Sequence, residues 1–307
     1  MPDTFPRDEL SVSDIAQLAL VGPSAVSNWQ KRYDDFPKPI DQDGRWHRFR
    51  TGDVLEWLKD HGRMPTPPEP PLTLEDAFRN SIWLLQGQVT PTMSLLVWAA
   101  YLASEIKADD DRLQTVIRET LAAVPPSTLS TLSDHLDRYR RLATSSEDVL
   151  CTLLYLLEEE FGDSPLSENH TSPELASLIA NLFEIDANGE AALYDPCCGT
   201  GRTLIRLGES HPGPHYYGQE INEEYVLVSR LLLALESSTK GGSWDVGEGD
   251  SLRDDAFPEL RADYAVVDPP FGVRISDDLS GDPRWILGEP GREGVNAWIQ
   301  VALSHLN

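Results

Sequence analysis

Leu193-Tyr194-Asp195-Pro196-Cys197-Cys198-Gly199-Thr200-Gly201 is the stretch on which the fold turns. The apolar run from Ala191 to Tyr194 reads as a buried strand. It ends in Asp195 and a tight Gly-rich turn, after which Leu204, Ile205 and Leu207 begin a helix. Strand, Gly-rich turn and helix form the entry to a nucleotide-type binding site in an open α/β sheet. The glycines permit unusual backbone angles and let main-chain N–H groups come close to a ligand. Alone, Gly-Thr-Gly fits many structural turns. Its weight comes from its companions at Gly218, Gly249 and Asp268.

A length of 307 residues predicts two or three domains. No apolar run reaches the roughly 18 residues needed to span a bilayer, and the N-terminus lacks the basic region and apolar core of a secretory signal. Three cysteines, two of them adjacent, give no disulfide framework and suit a reducing, cytoplasmic interior. Neither Cys-x-x-Cys nor a His cluster at zinc spacing occurs, so no metal is expected. The net charge of -26 is unusual for a nucleic-acid binder, which needs a basic footprint. It is unevenly spread. Residues 1–63 hold nine basic and eleven acidic side chains and are nearly neutral beside the rest.

Within that N-terminal part, Ser13 is expected to cap a short helix with Ile15, Leu18 and Ala19 inside. A turn at Val21-Gly22-Pro23 leads to a second helix from Ser24, with Ala25, Val26 and Trp29 at helical spacing. This resembles a helix-turn-helix of the excisionase or MerR type. Its second helix would present Ser24, Ser27, Asn28, Gln30, Lys31 and Arg32, side chains that reach bases and phosphates. Arg45-Trp46-His47-Arg48-Phe49-Arg50 alternates and is basic, fitting one strand of a wing. Arg45, Arg48 and Arg50 join the DNA-binding candidates, and a closing helix begins at Thr51. A small helical module that binds a protein, or binds nothing, is the other reading.

Residues 64–72 are a Pro-rich, semi-rigid linker. From 73 to 165 the apolar stripes have helical spacing and read as a helical packing domain. A sheet-containing domain occupies 166–307. In it Thr171 or Ser172 caps a helix whose first position is Pro173, with Leu175, Leu178, Ile179 and Leu182 facing inward.

After the Gly-rich turn, His215 to Glu220 reads as a second strand ending in an acid. An acidic residue about 20 positions after the glycines suits a ribose diol. A third strand ends near Gly249-Asp250, and Asp250 can accept from an adenine amino group. Tyr264-Ala265-Val266-Val267 is a fourth buried strand, running into Asp268-Pro269-Pro270-Phe271. Two prolines hold that backbone extended, Asp268 and the next carbonyl accept hydrogen bonds, and Phe271 offers a stacking face. The set fits an exocyclic amine held in plane.

Together, Asp195 to Gly201, Gly218 to Asn222, Gly249 to Leu252 and Asp268 to Phe271 resemble the S-adenosylmethionine-dependent N6-adenine DNA methyltransferases. The modification subunits of type I restriction–modification systems are the most similar group. The Thr171-Ser172-Pro173 helix, preceding the Gly-rich turn, matches the γ order of motifs. The resemblance covers about residues 73–307. It implies a Rossmann-like class I α/β sheet and S-adenosyl-L-methionine as cofactor. Asp195, Gly199 and Gly201 would border the methionine and ribose of the cofactor, with Thr171 and Pro173 near its carboxylate. Glu220 would take the ribose, Asp250 the cofactor adenine, and Asp268, Pro269, Pro270 and Phe271 a flipped base. DNA and a specificity or restriction subunit are the implied partners.

Two features depart from that family. Asp268 stands where it often has Asn, and a complete sheet needs about three more strands than are expected here. Three functions are therefore set side by side: N6-adenine transfer, transfer to cytosine N4 or a protein glutamine amide, and a non-catalytic DNA-binding scaffold.

Overall fold

Apolar strands alternating with amphipathic helices after Ala191 call for a parallel sheet, because parallel neighbours need a crossover element. A computed structural model describes residues 9–19, 21–40, 47–63, 73–85, 88–106, 110–136, 142–162, 171–183, 191–209, 211–270, 272, 274–275, 279–292 and 294–307. Arg45, Phe271 and the linker over 64–72 lie outside the described residues. The chain divides into two units, residues 1–94 and 95–307.

The first unit holds β1 (Glu9–Ser11), α1 (Val12–Leu18), α2 (Pro23–Arg32), β2 (Arg48–Arg50), α3 (Thr51–Asp60) and α4 (Leu74–Ser81). The helix α5 (Pro91–Glu105) spans the division. Ile15, Val26, Phe49, Val54 and Leu58 are fully buried in one cluster, with Trp57 packed edge-on to Phe36 at 4.8 Å. Each buried aliphatic there contributes about 1.5–3 kcal/mol. The cap of α1 is Ser11, not Ser13. The Ser11 hydroxyl accepts from the Asp14 N–H (3.2 Å), and the Asp14 carboxylate accepts from the Ser11 N–H (2.7 Å). The reason is β1, which runs straight into α1 and pairs antiparallel with β2, Leu10 opposite Phe49.

The second unit continues with α6 (Asp111–Leu121), α7 (Pro126–Leu136), α8 (Ser146–Gly162), α9 (Pro173–Leu182), β3 (Ala192–Asp195), α10 (Arg202–Gly208), β4 (His215–Glu220), α11 (Glu223–Lys240), β5 (Ser243–Glu248), β6 (Tyr264–Ala265) and α12 (Gly294–Ser304). Its sheet is parallel in the order β5-β4-β3-β6, so the strand order reverses at β3. Leu231 to Leu235 of α11 are fully buried. That helix packs on β4 and β5 and also on α6 and α8, which places those helices in the same unit as the sheet. Beyond β6, Ala262 pairs parallel with Leu306, so a further line of pairing starts beside that edge.

The expected face of α9 is corrected. Leu175, Leu178 and Leu182 are exposed, Ile179 is half-buried as expected, and among the described residues of this helix Ala176 is the buried one. This helix packs on α10, and small Ala176 lets the two backbones approach. Its cap is Ser172, whose hydroxyl accepts from the Leu175 N–H at 3.2 Å. Among the described residues no helix is long and apolar enough to cross a membrane.

Candidate functional site

In an open parallel sheet, ligands bind outside the carboxyl ends of the strands where the order reverses. Here that place lies between β3 and β6, and a cleft of about 430 Å³ opens there. Its wall includes Glu220 from the end of β4, Asp250 from beyond β5, and Asp268, Pro269 and Pro270 from beyond β6. A volume of that size suits a nucleoside-sized ligand.

The Gly-rich turn is built for main-chain approach. Gly199 and Gly201 take φ of +54° and +78°, a region that favours glycine. Gly201 is the cap of α10, and a Cβ there would come 3.2 Å from Ser229 Cβ. Beneath the turn, a Cβ on Gly218 would lie 2.8 Å from Cys198 Sγ, so Cys198 packs directly on β4. Glu220 braces the turn. Its Oε2 accepts from the Gly199 N–H (3.0 Å) and its Oε1 from the Asn222 N–H (2.8 Å). Each oxygen keeps a further lone pair for a diol.

Asp195 is buried at the end of β3, accepting from the Cys197 N–H at 3.0 Å. Burial pushes its carboxyl up to about 7, against the Cys197 bond, with Asp268 and Glu220 adding to the rise. Burial also pushes both adjacent thiols well above their ordinary value. Neither Cys197 nor Cys198 is therefore a thiolate nucleophile at neutral pH. Asp250 accepts from the Leu252 N–H (3.0 Å) and pairs with Arg253. The Thr171 hydroxyl donates to Asp268 Oδ2 at 2.6 Å, while Pro173 is the first residue of α9.

The structure thus brings Gly199, Glu220, Asp250, Asp268, Pro269 and Pro270 to one cleft, with Asp195 beneath it and Thr171 attached through Asp268. In the first unit, Ser24, Asn28, Lys31, Arg32 and Arg50 are exposed. The half-buried Ser27 donates its hydroxyl to the Pro23 carbonyl (3.1 Å), and Arg48 lies 3.9 Å from Asp14.

Sequence reasoning missed several residues. Leu175, Ile221 and Tyr225 add apolar surface to the cleft. Asn222 caps α11, accepting from the Glu224 N–H at 2.9 Å, and Asn ahead of Glu223-Glu224 is a legible start signal. Arg284 had no local signal. Its guanidinium donates to the carbonyls of Ser251 (2.7 Å) and Leu252 (2.9 Å) and pairs with Asp282 (2.6 Å). It clamps the loop that carries Asp250.

Residues 155–307 match the family model described as N-6 DNA Methylase. The type I restriction enzyme MjaIX methylase subunit of Methanocaldococcus jannaschii is 26% identical over 155 residues, which cover 44% of this chain and 26% of that protein. The U6 snRNA (guanine-N(2))-methyltransferase THUMPD2 of Mus musculus is 30% identical over 120 residues, covering 38% of this chain and 21% of that one. The chain thus spans about a quarter of the length of these curated relatives. A Listeria monocytogenes structure assigned to the class I S-adenosylmethionine-dependent methyltransferases matches with a TM-score of 0.55 at 14% identity, over 76% of this chain and 69% of that one. The type I restriction-modification system methyltransferase subunit of Streptococcus thermophilus matches with a TM-score of 0.50 at 17% identity, over 96% and 64%. These likenesses give the fold as that of the class I methyltransferases, and residues 155–307 belong to the N-6 DNA methylase family.

Proposed function

We propose that this chain is a methyltransferase that uses S-adenosyl-L-methionine and acts on the exocyclic N6 of adenine in DNA. The observation that carries the reading is one cleft receiving Glu220 from β4 and Asp268-Pro269-Pro270 from β6 across the point where strand order reverses. The residues fit the cofactor. A carboxylate with open lone pairs suits its ribose, glycines without side chains leave room for a close backbone approach, and Ile221 and Leu175 offer apolar surface.

When bound, the cofactor would supply an electrophilic sulfonium methyl group: the N–C bond forms as the S–C bond breaks, the neutral thioether leaves, and the nitrogen sheds a proton. The chain's own residues position and stabilise. Asp268 and the Pro269 carbonyl accept the two amine hydrogens and hold the nitrogen in plane. As positive charge develops on nitrogen, those two oxygens stabilise it. Most of the rate comes from orientation. The chemistry needs neither a covalent enzyme intermediate nor a metal.

The exposed Lys31, Arg32 and Arg50 would contact DNA phosphates, and Ser24, Asn28 and Ser27 the base edges. The relatives named as type I methylase subunits support a role in restriction–modification; a cytoplasmic location and a specificity or restriction subunit as partner belong to the same proposal. Incubating the protein with tritiated S-adenosylmethionine and unmethylated genomic DNA tests the activity. The expected product after digestion is N6-methyladenine, lost in Asp268→Ala. Label in N4-methylcytosine or in protein would reassign the acceptor, and label unaffected by Asp268→Ala would reject this site.

A further inference from the structure

We infer that Thr171 is a positioning residue for Asp268 and not a ligand of the cofactor carboxylate; the inference rests on the proposed methyltransferase function. The Thr171 hydroxyl donates to Asp268 Oδ2 at 2.6 Å across 97 residues of chain. Among the described residues, Asp268 Oδ1 takes no hydrogen bond, and Asp268 lines the cleft whereas Thr171 does not. An aspartate side chain turns about a broad, nearly two-fold torsion. Unheld, it presents either oxygen, or an edge that meets the amine poorly. With Oδ2 fixed by Thr171, Oδ1 is the oxygen left for the target amine.

The chemistry also explains why Asp works where an amide is often found in the resembled family. An Asn could use its N–H groups to fix its own orientation on a neighbouring acceptor. An ionised Asp has only acceptors, so a donor must be brought to it. Thr171 is that donor, and its own backbone is steadied. The next residue, Ser172, caps α9 through the Leu175 N–H, and Pro173 opens the helix. The start of α9 therefore sets the orientation of the acid at the end of β6, while Leu175 one turn on supplies part of the cleft wall. A hydroxyl already committed to Asp268 is not offered to a cofactor carboxylate.

The test uses Thr171→Val, which keeps the shape and removes the donor, and Thr171→Ser, which keeps the donor. Calorimetry with S-adenosylhomocysteine reads cofactor-site affinity in the free protein, and single-turnover tritium transfer to genomic DNA reads the chemistry. The expected result for Thr171→Val is a Kd within about twofold of wild type and a transfer rate lowered about tenfold to a hundredfold, the size of a lost hydrogen bond to a charged group. Thr171→Ser should stay within about threefold in rate, since the donor remains. An unchanged rate in Thr171→Val overturns the inference, as does a weakened Kd that accounts for the whole loss. Wild-type protein that binds S-adenosylhomocysteine yet labels no DNA would overturn the functional reading itself, and this inference with it.

Discussion

Asp195 carries a proton-linked contribution to stability whose sign is set by its burial. The carboxyl titrates near 7 in the folded protein against 3.8 ordinarily, chiefly because burial disfavours its charged form. Between about pH 4 and 7 the folded chain therefore holds a proton that the unfolded chain has released. This group's contribution is fully present below that window and is lost as pH rises through it, by about 1.4 kcal/mol per pH unit. Asp195→Asn keeps an acceptor for the Cys197 N–H and does not titrate. Its stability relative to wild type is expected to climb as pH goes from 5 to 7, read by urea denaturation at each pH. Parallel pH profiles for the two proteins would refute the assignment. Gly201 gives a second case at this scale. Its φ of +78° and the 3.2 Å approach to Ser229 make Gly201→Ala cost about 1–2 kcal/mol in the same assay.

At the scale of elements, Arg284 joins the segment after Asp268 to the loop that holds Asp250. Its side chain is only 11% exposed and spans two carbonyls with one planar fork. Arg284→Ala removes both bonds, and Arg284→Lys cannot replace them, because an ammonium is a point donor without the fork. Both variants are expected to weaken S-adenosylhomocysteine about tenfold in calorimetry while remaining folded, since a loosened loop must be reordered on binding. Wild-type affinity in Arg284→Lys would show that charge alone suffices. The elements themselves were unequally legible. Strands β3, β4 and β5 each close on an acid, with a glycine at or near the end, so the order of the cleft residues could be read before their positions were known. The strand β1 could not, being three residues whose partner β2 lies 37 positions on. The leucines of α9 depart from expectation for a different reason. Its leucines form a stripe, yet a helix packed closely on a neighbour can bury a small side chain, and in α9 that is Ala176. Arg284 lies 33 residues from the carbonyl it holds and obeys no local pattern.

For the whole molecule, charge is the governing quantity. A net -26 repels DNA at long range, and nearly all of it lies outside residues 1–63. Attraction to phosphate must then be local, and the exposed cations of α2 and β2 are where the DNA reading puts it. Each phosphate contact releases counterions and contributes about -0.9 to the slope of log affinity against log salt. Replacing Lys31, Arg32 and Arg50 together by alanine in the full chain should flatten that slope by about two to three. None of the three belongs to the cluster buried around Phe49 and Trp57, so the fold should persist. Fluorescence anisotropy on a labelled duplex between 50 and 200 mM salt, values about where such slopes are resolved, provides the readout. Affinity for S-adenosylhomocysteine, set in the cleft of the second unit, should not change. A slope equal to wild type would mean that the first unit serves a protein partner, and that DNA is gripped by the methyltransferase unit or by a companion subunit.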